Sequence, residues 1–309
     1  MIIYYPTFGS NRFGNTLFQY LFVKYLEKIL QISVYLGEPN TTGEYSPEAL
    51  LLPWKLFDIS NNELLPPVNY ESHEDIALAF GDRRKHPRED IAIIRNCIEQ
   101  FNNGFIRIDG FFQYDTSLMF ADEEYALVFR ENFSLNYENN NFQKTLINFR
   151  RQIEFYLSGA YLIAIHIRRG DYLNSTHRTD WVKDVFYPMN LDPIIDDLKF
   201  YLNTNKIINS VIYIATDDPQ FCKDYFFKKG ISIITYLDIE NKLDVDNQNE
   251  TLLFDMAALA SAKFMIASNS SLSIISSMIN EKASVFWRQT KEGKTVSFDP
   301  RSTPILYGL

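Results

Sequence analysis

The strongest constraint on the fold is a rhythm in the second half of the chain, where apolar runs of strand length alternate with stretches of helical periodicity. Residues 162–167, 211–215, 231–236 and 264–267 read as strands, and 191–202, 220–229, 250–262 and 271–280 as the helices among them. Parallel strands need crossover connections, and the crossover helices cover both faces of the sheet. A doubly wound parallel sheet is therefore expected over 158–290, with any ligand at the carboxyl ends of its strands. The first half is less regular. Residues 2–5 read as a buried strand, and Leu17, Phe18, Leu21, Phe22, Tyr25, Leu26, Ile29 and Leu30 recur as one helix face before a second strand at 32–36. Residues 38–75 read as loop-rich, being broken by Pro39, Pro47, Pro53, Pro66 and Pro67. Residues 81–90 read as a charged connector, 105–114 as a strand interrupted at Gly110, and 127–156 as helical. A length of 309 residues accommodates two domains, expected at 1–157 and 158–309.

Composition narrows the function classes. A chain that is 46% hydrophobic and 22% charged is neither disordered nor fibrous. Lys and Arg number 30 against 39 Asp and Glu, a net charge of −9, so a broad nucleic-acid footprint is excluded and any anion site must be local. Cys97 and Cys222 lie far apart without CxxC spacing, which suits a reducing compartment and gives no zinc site. The opening MIIYYPTFGS lacks a basic segment followed by an apolar stretch, and no apolar run approaches membrane-spanning length. A cytoplasmic protein without membrane insertion is expected.

Three segments at strand ends carry the candidate chemistry. His166-Ile167-Arg168-Arg169-Gly170-Asp171-Tyr172 follows the first strand of the second half. Strand alternation puts His166 and Arg168 on one face, and Gly170 allows the chain to turn directly afterwards. An arginine fork there matches phosphate oxygens and stabilises charge on a departing pyrophosphate; the alternative is a surface ion-pair cluster in which Asp171 neutralises Arg169. Thr216-Asp217-Asp218-Pro219 follows the next strand. Asp218 before Pro219 suits a helix cap, whereas Asp217 suits hydrogen bonding to a ribose or a guanine edge, so capping and binding both stand. Ser268-Asn269-Ser270-Ser271-Leu272-Ser273 opens a helix, and its hydroxyls and free amides suit a phosphate or a ligand-free cap. The loop at 9–16 has the glycine spacing of a Walker loop, but Asn15-Thr16 replaces the Lys-Ser/Thr pair, which disfavours triphosphate hydrolysis. No GxGxxG fingerprint and no metal-spaced cluster is present, so neither a dinucleotide cofactor nor a metal is expected.

Together these segments resemble the α-1,2-fucosyltransferases of glycosyltransferase family 11, and more distantly the α-1,6- and protein O-fucosyltransferases. The resemblance rests on Phe13–Tyr20 (FGNTLFQY), Asp109–Gln113 (DGFFQ), His166–Tyr172 (HIRRGDY), Thr216–Pro219 and Asn269–Ser273, in that order. His166–Tyr172 matches the family's first motif without a gap. The resemblance implies a GT-B architecture, two Rossmann-like domains facing a cleft, with GDP-L-fucose on the C-terminal one and the acceptor side on the other. It also implies inverting transfer of fucose from GDP-β-L-fucose to a galactoside hydroxyl of a glycan, without a metal ion. Arg168, His166 and Asp171 would serve catalysis: Arg168 on the β-phosphate, His166 with Asp217 or Asp218 reading the guanosine, and Asp171 as the candidate base. Gly14, Asn15, Arg169, Asn269, Ser270 and Ser271 would complete the donor site. The sequence departs from the family pattern at Thr16, at 272–275 and at 177–181. A different linkage or acceptor, and a nucleotide- or glycan-binding protein without turnover, are the alternatives.

Overall fold

The computed structural model describes residues 2–6, 13–37, 47–57, 59, 75–80, 86–101, 105–110, 112–173, 187–239 and 248–302. The chain divides into two compact units, Met1–Lys144 and Thr145–Leu309. The division falls inside the helix Asn141–Leu157.

The first unit is built on β1 (Ile2–Tyr5), α1 (Phe13–Leu30), β2 (Val34–Leu36), α2 (Pro47–Leu56), β3 (Asp75–Ala79), α3 (Pro87–Gln100), β4 (Phe105–Asp109), α4 (Thr116–Ala121) and α5 (Glu123–Phe133); α6 (Asn141–Leu157) begins in it and crosses into the second unit. Its four strands run parallel in the order β2-β1-β4-β3. Helix α1 is apolar enough to be buried along most of its length, with Leu17, Leu21, Phe22, Tyr25 and Leu26 fully covered. Aromatic rings fill the space around it: Phe22 stacks on Phe112 at 4.0 Å and Tyr20 on Phe57 at 3.7 Å.

The second unit contains β5 (Tyr161–Ile167), α7 (Gly170–Leu173), α8 (Leu191–Thr204), β6 (Ser210–Thr216), α9 (Pro219–Lys228), α10 (Tyr236–Ile239), α11 (Gln248–Ser261), β7 (Phe264–Ala267), α12 (Ser271–Ile279), β8 (Val285–Gln289) and β9 (Thr295–Ser297). The sheet order is β6-β5-β7-β8-β9, parallel except for β9. Ile163, Ile165 and Ile167 pack with Ile194, Ile195 and Leu198 of α8 and Phe226 of α9 on one face. Ala164 and His166 alternate onto the other. The expected alternation holds except at 231–236, where only Ile234 bridges to Tyr213 and α10 follows at once.

Three further expectations in the first unit need correction. The connector at 81–90 already contains the start of α3: the His86 N-cap and Glu89 form a reciprocal capping box around Pro87 in the first turn, while 81–85 lie outside the described residues. The helix expected over 127–156 is two, α5 and α6, because Ser134 ends the first and a hydrogen-bonded turn around Asn140 and Gln143 precedes the second. Within the range read as loop-rich, 38–75, residues 47–56 form α2 with Pro53 inside it, and 38–46, 58 and 60–74 lie outside the described residues.

Candidate functional site

The carboxyl edge of the second sheet gathers the three candidate segments. His166, the last residue but one of β5, lies on the face away from Ile165 and Ile167 and is 3% exposed. Its Nδ1 lies 2.6 Å from Ser268 Oγ, just beyond β7. Among the described residues Nε2 makes no hydrogen bond. Burial, reinforced by the Arg168 cation and opposed by Asp217, pushes the imidazole from its ordinary 6.5 down to about 3. His166 is therefore neutral at physiological pH and acts as a hydrogen-bonding group.

Asp217 fastens the turn after β5. Its carboxylate accepts from the backbone N–H groups of Arg169 at 2.9 Å and Gly170 at 3.1 Å, and Oδ2 lies 3.3 Å from Arg168 Nε. A Cβ at position 170 would sit 3.1 Å from that same oxygen, a tight contact that would push the carboxylate back by a few tenths of an ångström. Asp218 plays the capping part, accepting from Phe221 N–H at 3.3 Å at the start of α9, and Thr216 Oγ1 accepts from Asp218 N–H. The Arg169 guanidinium lies 3.3 Å above the Phe221 ring and 3.5 Å from Asp218 Oδ2. The two aspartates thus have separate structural tasks: Asp218 caps α9 as its place before Pro219 suggests, and Asp217 clasps the turn after β5.

The third segment is wired to the first. Ser268 Oγ, besides meeting His166, accepts from Ser270 N–H at 3.3 Å, and Ser268 N–H donates to Ser273 Oγ at 3.0 Å. Ser270 occupies the N-cap of α12, but its hydroxyl is not spent on capping. Asn269, Ser270 and Ser271 are all half-buried, beside first-turn amides that have no intrahelical acceptor. Ser268 had drawn no separate role in the sequence; its signal was only its place directly after a buried strand.

Gly14 and Asn15 lie in the first unit, at the start of α1. There the two resembling segments meet each other: Gln113 Nε2 donates to Asn15 Oδ1 at 2.7 Å, and Gln19 Nε2 and Tyr5 OH both donate to Gly110 O. Gly110 has φ +149°, and a Cβ on it would fall 2.3 Å from Phe80 O; β4 ends at Asp109 and 112–114 are not strand, so the strand expected over 105–114 stops here instead of being interrupted. Residues 9–12 and 177–181, and the side chain of Asp171, lie outside the described residues. No group of three metal-ligating side chains comes together among the described residues, and none of their helices is long and apolar enough to cross a membrane.

No protein-family model matches the chain, and no curated protein matches it. Solved structures do. The chain is similar to the α-1,6-fucosyltransferase NodZ soaked with GDP-fucose, at 12% identity and TM-score 0.52, over 96% of this chain and 99% of that one. It is equally similar to fucosyltransferase NodZ from Bradyrhizobium, at 13% identity and TM-score 0.52, over 97% and 99% of the two chains. Two units with parallel sheets and this likeness define a mixed α/β protein of the GT-B class, the fold of those fucosyltransferases.

Proposed function

We propose that the chain is a cytoplasmic, metal-independent, inverting fucosyltransferase that moves L-fucose from GDP-β-L-fucose to a galactoside hydroxyl of a glycan, making an α-1,2 linkage. One observation carries the reading: Arg168 stands beside a buried, neutral His166 at the carboxyl edge of a parallel sheet, in a fold shared with a GDP-fucose-soaked enzyme. In this reading Arg168 holds the β-phosphate, and the hydroxyls of Ser270 and Ser271 with the α12 amides take the remaining phosphate oxygens. His166 Nε2 meets the guanosine, with Asn269 and the Asp217–Asp218 pair around it. Arg169 supports the turn.

The acceptor oxygen attacks C1 of fucose from the face opposite GDP, and the bond from C1 to the β-phosphate oxygen breaks. The electron pair leaves on the phosphate and the acceptor proton passes to the Asp171 carboxylate or to water. The transition state resembles an oxocarbenium ion, so the demand falls on the leaving group, and Arg168 answers it electrostatically. The test is GDP release from GDP-fucose with a β-galactoside acceptor, followed by NMR of the product linkage. An α-1,2 product is expected; folded protein with no release across a broad glycan panel overturns the reading. An α-1,6 linkage is the second reading, favoured by the likeness to NodZ, and the same spectra decide between them.

A further inference from the structure

The carboxyl edge of the second sheet also holds a buried cation, Arg288. Strands β5, β7 and β8 lie in parallel register, with Ile165 beside Ile266 and Ala267 beside Arg288. One step beyond Ile165 comes His166, so His166, Ala267 and Arg288 form a cross-strand row whose ends stand two strand spacings, about 10 Å, apart. Val285 and Trp287 pack with the isoleucines of β5, so pleating turns Arg288 to the opposite face, the one His166 occupies. The middle position carries only a methyl group, so no side chain of the row separates imidazole from guanidinium. Arg288 is 6% exposed, lies 5.8 Å from the centre of the Phe298 ring, and is pushed below its ordinary pKa by burial, with Tyr187 opposing. Tyr187 ties this end of β8 to the α12 loop, donating to Gln289 O at 2.9 Å and hydrogen bonding the Asn269 side chain.

We propose that Arg288 is a second cation for the donor's diphosphate, meeting its oxygens from the β8 side while Arg168 meets them from the β5 side. The inference rests on the reading of the ligand as a nucleoside diphosphate sugar. Charge grows on the diphosphate as the glycosyl bond breaks, and a guanidinium withdrawn from water interacts with that charge more strongly than an exposed one. Its planar fork suits two phosphate oxygens at once. Arg288 therefore belongs to the leaving-group end of the site, and guanosine without phosphate does not depend on it.

Calorimetric titration of the full chain with GDP and with guanosine tests this. Arg288→Met weakens GDP binding by about 10- to 100-fold and leaves guanosine binding at the wild-type value, while Arg288→Lys recovers part of the loss. A folded Arg288→Met protein that binds GDP within about twofold of wild type overturns the assignment, as does an equal loss for both ligands, which marks a structural defect. If Arg288→Met does not fold, a wild-type crystal structure with GDP decides: the guanidinium within about 3.2 Å of a phosphate oxygen supports the assignment, and a longer separation overturns it. Wild-type protein that binds no GDP removes the donor reading itself, whereas GDP binding indifferent to Arg288 removes only this residue.

Discussion

Arg168 and Arg169 are neighbours in sequence with separate structural partners. Arg169 lies flat on Phe221 and pairs with Asp218, so it joins the β5 turn to the first turn of α9. Arg168 meets Asp217 Oδ2 through Nε at 3.3 Å, and 28% of its side chain is exposed. Arg168→Ala is expected to lower kcat by about 10²- to 10³-fold with little change in melting temperature. Arg169→Ala is expected to lose about 1–2 kcal/mol of stability and far less turnover. Steady-state kinetics with urea unfolding of both variants checks the ranking, and the reverse order removes Arg168 from the leaving group. His166 supplies a pH prediction. Its native pKa of about 3 lies below the ordinary 6.5, so on acidification the unfolded chain takes the proton first. Stability from this group is complete above about 6.5 and falls as pH drops towards 3; His166→Gln flattens that fall in urea melts across the same range.

At the scale of elements, two contacts hold segments that no local pattern would join. In the first unit Gly110 lets β4 end against Phe80 and accepts from Gln19 of α1, which packs the two resembling segments together. Gly110→Ala is expected to cost about 2 kcal/mol or more in urea unfolding, because both its dihedral and its space exclude a methyl group. In the second unit the Asp255 carboxyl of α11 receives the Tyr213 hydroxyl of β6, and burial pushes it from its ordinary 3.8 up to about 8. The native state therefore keeps this carboxyl protonated where the unfolded chain has released the proton. Its contribution is whole below about 3.8 and is lost as pH rises through about 8, so Asp255→Asn is expected to reduce the loss of stability between pH 6 and 9. The parallel strands and long helices were legible because buried strands and amphipathic helices carry their own periodicity. The α3 cap was not, because charged residues around a proline read alike in a loop and in a first turn.

For the whole molecule, the donor reading confines the nucleotide's effect to one region of the second unit. Hydrogen exchange with saturating GDP is expected to slow amides at 166–170 and 268–273, while the α3 and α5 amides of the first unit keep their rates. Protection spread evenly over both units, or absent from those two segments, contradicts that placement. By itself the sequence determined the α/β class, the alternation of the strands at 162–167, 211–215 and 264–267 with their helices, and the three strand-end segments that carry its polar chemistry, since each is written in neighbouring residues. Only the tertiary structure decided that Asp217 clasps the turn after β5, that His166 is neutral against Ser268, and that Arg288 shares the His166 face. Those outcomes depend on burial and on strand register between segments up to 122 positions apart, from His166 to Arg288, and neither quantity is a property of a local stretch of chain.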